Sequence, residues 1–98
     1  MMHVGLCLVR LRLPENGSLK EKRAIVRPLI DRVRRRFSIA VAEVDNEDNW
    51  REAAIGLVCV SNDSRHANSV LSRAVAYMED NSRDAEFLDY RLEFITAF

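Results

Sequence analysis

Along this chain of 98 residues, hydrophobic side chains recur at strand spacing in some segments and at helix spacing in others. The order of those segments leaves few folds open. "HVGLCLVRLRL" (His3–Leu13) is short, rich in Val and Leu, and reads as a strand. Pro14, Asn16 and Gly17 supply a turn. Leu19, Val26, Leu29, Ile30, Val33 and Phe37 then recur every three or four residues. They follow "SLKE", in which Ser18 and Glu21 form a capping box, Glu21 reaching back to the Ser18 N–H. "SIAVAEVD" (Ser38–Asp45) reads as a half-exposed strand, "NEDN" as a turn, and "EAAIGLVCVS" (Glu52–Ser61) as the apolar partner of a hairpin. Ala67, Val70, Leu71, Ala74, Val75 and Met78 mark a second amphipathic helix. "AEFLDYRLEFIT" is a last alternating strand, with Leu88, Tyr90, Leu92 and Phe94 on one face.

Strand, helix, strand, strand, helix, strand is the βαββαβ order of a ferredoxin-like α+β sandwich. It predicts a four-stranded antiparallel sheet with two helices on one face. In that fold the first and third strands are central, and here they are the more uniformly apolar pair. The whole chain, residues 1–98, reads as one domain, and a hydrophobic fraction of 48% supports a core without staples. Pro28 lacks an N–H and crowds the carbonyl of Ala24, which predicts a kink in the first helix. Cys7 and Cys59 sit inside apolar runs and read as buried thiols, not as a disulfide scaffold or a zinc pair. No apolar run approaches the ~20 residues of a membrane span, and the N-terminus has no signal-peptide layout. A cytoplasmic protein with no membrane partner is expected.

The formal net charge is zero but unevenly placed. Eight Lys/Arg face two acids between Ser18 and Arg36, whereas six acids face two arginines between Glu79 and Glu93. The basic helix is either a solvated face, with Arg27–Asp31 and Asp31–Arg35 as pairs, or a strip that tracks RNA phosphates through Lys20, Lys22, Arg23, Arg27, Arg34 and Arg35. The two central strands contain no Phe, Tyr or Trp, so base stacking on the sheet is not expected, nor is DNA sequence readout.

The topology puts the two helix starts at opposite ends. Asp48 and Trp50 are expected near Ser18–Arg23, as a hairpin staple or a partner contact. Asn62, Arg65 and His66 are expected beside Arg34–Arg36, where Asn62 or Asp63 caps the second helix and Asp63 could pair with those arginines. Free amides there, with Arg65 and His66, would suit a small anion such as phosphate; this alternative makes the protein a small-molecule sensor. Ser61 or Ser64 with His66 has no orienting acid or oxyanion hole nearby. No catalytic residue, metal set or cofactor is therefore assigned, and a binding protein is expected over an enzyme. On the uncovered sheet face, Val4, Leu6, Leu8, Ile39, Val41 and Ile95 should form an apolar half rimmed by Arg10, Arg12, Glu43, Asp45 and Asp89. That is a surface for a homodimer or, in a third reading, for an inert partner-docking module.

Taken together and in this order, "SLKEKR" (Ser18–Arg23), "VAEVDNEDNW" (Val41–Trp50) and "CVSNDSRH" (Cys59–His66) resemble the YlxP-like family of small bacterial proteins of unknown function. The resemblance spans essentially the whole chain and implies the same ferredoxin-like fold. It marks Ser18, Leu19, Lys20, Lys22, Arg23, Asp48, Trp50, Asn62, Asp63 and His66, with no catalytic role attached. Genes for such proteins often neighbour those of translation-initiation and ribosome-maturation factors, which implies RNA or a ribosomal particle as partner.

Overall fold

The structure, a computed structural model, describes residues 1–45 and 48–98. Its elements are β1 (Met2–Arg12), α1 (Leu19–Phe37), β2 (Ala40–Asp45), β3 (Glu52–Ser61), α2 (Ser64–Asn81) and β4 (Glu86–Ala97). The sheet order is β2-β3-β1-β4 with every neighbouring pair antiparallel. This is the split βαβ arrangement that the segment order predicts. Half of the "NEDN" turn, Asn46 and Glu47, lies outside the described residues.

Both helices form where apolar spacing and caps agree. The Ser18 hydroxyl accepts from the Glu21 N–H at 3.1 Å. The return arm of the box shifts by one residue: the Glu21 carboxylate accepts from the Gly17 N–H at 2.8 Å, not from Ser18. α1 then runs unbroken through Pro28. Pro28 and Ala24 are both exposed, so water can reach the carbonyl that loses its donor. The helix stops at Ser38, whose φ of 53° is left-handed, and β2 begins two residues later than the apolar pattern alone indicates.

The odd-numbered residues of β1 (Gly5, Cys7, Val9, Leu11) face the helices and are buried, as are Leu57, Ile55 and Ala53 of β3. Against them pack Val26, Leu29, Ile30 and Val33 of α1 and Ala67, Val70, Leu71, Ala74, Val75 and Met78 of α2. At Gly5 the close approach is real: a Cβ there would lie 2.6 Å from Leu71 Cδ1.

Two face assignments differ from the sequence reading. In β2 the parity is reversed: Ile39 and Val41 are 8% and 4% exposed, in the core and not on the open face. Glu43, opposite the fully buried Ile55, shares that inward side. Because strand side chains alternate, choosing the wrong parity moves a whole set across the sheet. The larger apolar residues win the dry side, leaving Ala40, Ala42 and Val44 outside. In β4, strict alternation fails at its start. A bulge opposite Arg10/Leu11 sets Phe87 across from Leu11 and leaves Leu88 as the extra residue.

Candidate functional site

The basic residues of α1 divide into three groups. Lys22 leaves the strip altogether. It falls on the buried stripe Lys22, Val26, Leu29, Val33, spaced by four, three and four residues, and its side chain is 2% exposed. Its ammonium lies 2.7 Å from Glu43 Oε2 and donates to the Asn49 carbonyl at 2.8 Å. Lys22 therefore ties α1 to β2 and to the hairpin, and presents no charge to a phosphate. Asn16, 5% exposed, does similar work. It donates to the carbonyls of Trp50 at 2.7 Å and Ser18 at 3.3 Å. Through these two side chains the "SLKEKR" and "DNW" segments hold each other by backbone carbonyls. Trp50 contributes its carbonyl, while the residue remains 47% exposed; Asp48 is exposed beside it.

A second group is engaged at the surface. Arg34 donates to the Val41 carbonyl on β2 and to Asp31 at 3.2 Å. This three-residue pair replaces the Arg27–Asp31 and Asp31–Arg35 pairs expected from spacing. Arg36 lies over the Tyr77 ring, 4.9 Å from its centroid.

The third group is Lys20, Arg23, Arg27, Arg32 and Arg35, all exposed. None of their five side chains has an ion pair or hydrogen bond among the described residues. The two acids of the helix are both occupied, Glu21 by the Gly17 N–H and Asp31 by Arg34. Lys20, Arg23, Arg27 and Arg34 share one flank of α1 by their spacing, along the β2 edge, while Arg35 stands on the outer face.

At the opposite end, Asp63 is the cap of α2. Its carboxylate accepts from the Arg65 N–H at 2.9 Å, and its own N–H donates to the Ser61 hydroxyl at 3.0 Å. The position an incoming anion would take at this helix start is thus partly filled by a carboxylate. Asp63 pairs, loosely, with Arg65 Nε at 3.9 Å and not with Arg34–Arg36. Asn62, Arg65 and His66 do not converge. The Arg65 side chain is 94% exposed, whereas His66 lines a groove between the helices with Arg36, Phe37, Arg73 and Tyr77. Arg73 was missed in the sequence, although its position seven residues after His66 places both on one helical face. His3, at the same end, has its Nδ1 2.9 Å from the Thr96 hydroxyl. Both cysteines are buried and free; burial pushes the Cys7 thiol up to about 11 and raises Cys59 as well.

Residues 4–92 match the model of a family described as "Protein of unknown function (DUF503)". The chain belongs to the DUF503 family. A relative, "Uncharacterized protein YlxP" of Bacillus subtilis (strain 168), is 32% identical over 76 residues, covering 78% of this chain and 83% of the relative. Among solved structures, the de novo designed protein Foldit4 superposes with a TM-score of 0.62 at 17% identity, with both chains fully covered. The designed ferredoxin-fold protein LFR1 1 superposes at 0.61 with 14% identity, covering 99% of this chain and 88% of that one. These two likenesses concern the fold alone. Among the described residues, no helix of this DUF503 member is long and apolar enough to cross a membrane.

Proposed function

We propose that this protein binds RNA, within a ribosomal particle, through the exposed cations of α1, contacting phosphates and not reading bases. The observation that carries the reading is the excess of positive charge: Lys20, Arg23, Arg27, Arg32 and Arg35 are exposed, and among the described residues none of their side chains has an acidic partner. They span about 22 Å of helix at ~1.5 Å per residue. Arg36 and Arg73, which line the groove between the helices together with His66 and Asp80, add two cations near the C-terminal end of α1. The strands β1 and β3 hold no aromatic residue, so the sheet offers no stacking platform of the RNA-recognition type. Affinity of this kind comes from counterion release and falls steeply with salt.

The test is co-sedimentation with ribosomal particles at low and moderate salt. Wild-type protein is expected to travel with the particles at low salt and to dissociate as salt rises. Lys20→Glu/Arg27→Glu/Arg35→Glu should stay in the supernatant while keeping its far-UV circular dichroism and melting temperature. Arg34 is left intact in this variant because it also holds β2. Wild-type protein that never co-sediments, or a triple variant that binds as well as wild type, refutes the proposal.

A further inference from the structure

The two edges of the sheet are unlike. β2 is six residues long and interrupted by a bulge after Glu43, the short charged edge that resists strand addition. β4 is twelve residues long and free of proline and lysine. Its one register shift lies opposite Arg10/Leu11, so the stretch from Asp89 to Ala97 pairs regularly with β1. Its outer edge presents unpaired backbone donors and acceptors beside exposed apolar side chains: Tyr90, Phe94 and Ile95 are 48%, 45% and 53% exposed. A long, regularly paired edge of this kind is a template for another strand.

The sequence of that edge names the strand it fits. Tyr90-Arg91-Leu92-Glu93-Phe94 is chemically symmetric about Leu92, with aromatics outermost and opposite charges between. We infer that β4 pairs antiparallel with β4 of a second copy about a two-fold axis at Leu92, joining two sheets into one of eight strands. In that register Arg91 stands opposite Glu93 of the second copy, and Glu93 opposite its Arg91, on the open face. Tyr90 stands opposite Phe94 of the second copy on the helix side. Opposed charges and aromatic pairs are the favourable cross-strand combinations.

Inside one copy, the Arg91 and Glu93 side chains have no ion pair or hydrogen bond among the described residues, whereas their neighbour Asp89 is held by Arg10 at 2.9 Å. Moving the axis to Arg91 would oppose Arg91 to itself and Asp89 to Glu93. Moving it to Glu93 would oppose Glu93 to itself. Moving it to Tyr90 would draw the bulged start of β4 into the ladder. An interface formed in this way leaves the exposed flank of α1 free, so it is independent of the RNA reading.

The experiment is light scattering on the purified full chain, with circular dichroism as a folding control. Wild type should have a mass of twice 11.3 kDa at micromolar concentration. Arg91→Glu and Glu93→Arg should each be folded monomers, because each sets like charges opposite one another twice. Mixing these two monomers should restore the dimer, since every cross-strand pair in the mixed species is again opposite in sign. Arg91→Gln/Glu93→Gln should dissociate at lower concentration than wild type, and carries the test should a reversal fail to fold. A wild-type monomer, a full-strength dimer in either reversal, or in the double glutamine variant, overturns the inference. So does a mixture of two folded monomers that stays monomeric. A dimer insensitive to all of these changes would place the interface elsewhere, such as the open sheet face.

Discussion

Removing Glu43 tests the physical account of this structure most directly, because the charge it balances is buried. The Lys22 side chain is 2% exposed and that of Glu43 22%, with 2.7 Å between the ammonium and Oε2. Glu43→Ala leaves the ammonium its Asn49 carbonyl but takes away its counter-charge in a site too closed for full hydration. Breaking a buried pair from one side costs about 3–5 kcal/mol. Since Glu43 is partly open to water, the lower end applies, ~3 kcal/mol. That is a factor of ~150 in the folding equilibrium, taking 1.4 kcal/mol per tenfold. It is also a large share of the ~5–15 kcal/mol that holds a typical domain. In a urea titration with m of ~1.5 kcal/mol/M, the midpoint should fall by ~2 M. Trp50 fluorescence and far-UV circular dichroism would report it together. The double variant Lys22→Met/Glu43→Leu should recover most of the loss, because an apolar pair of similar volume needs no desolvation of charge. A loss below ~1 kcal/mol for Glu43→Ala would mean that the pair behaves as a surface ion pair. Lys22 would then not be a buried anchor.

Gly5→Ala should destabilise by ~1–3 kcal/mol in thermal or urea unfolding, since its Cβ would lie 2.6 Å from Leu71 Cδ1 and 3.1 Å from Phe94 Cε1; an unchanged midpoint would contradict that packing. Pro28→Ala should raise stability by ~1–2 kcal/mol, restoring a donor to the Ala24 carbonyl inside a helix that already runs through this position; a lower melting temperature would show that the proline is required. The Cys7 thiol is raised by burial from 9.0 to about 11, so the unfolded chain releases that proton first and binds fewer protons than the native one. Stability should therefore be intact below about pH 9 and fall by ~2 kcal/mol as pH rises toward 11. Comparison of wild type with Cys7→Ala across that range should show a flatter slope in the variant. At neutral pH both native thiols should resist a thiol reagent until the chain unfolds.

Much of the architecture was legible because it rests on local rules. The two helical stripes, the Ser18 cap, a cap for α2 at Asn62 or Asp63 and the apolar third strand were readable without any tertiary contact. So were the strand order and the opposite placement of the two helix starts, once the segment order suggested the topology. Lys22 was readable too, had charge been set aside: it lies one turn before Val26 on the buried stripe, and Glu43 shares parity with Ile39 and Val41. Reading every cation of α1 as surface obscured this. The Arg34–Asp31 pairing was beyond reach, because two spacings on one helix face are nearly equivalent and the Val41 carbonyl on another element chooses between them.

The sequence by itself determined the elements, their order and the uneven charge of the first helix, because hydrophobic period, capping and turn chemistry act over a few residues. Only the tertiary structure decided which side of β2 is dry, which cation is buried, and which charges, among the described residues, pair with one another. Those outcomes depend on competition between distant groups for one limited interior: Ile39 and Val41 over Ala40 and Ala42, Lys22 with Glu43, Arg36 on the ring of Tyr77. Burial and pairing are settled across the fold, and no window of neighbouring residues contains both competitors.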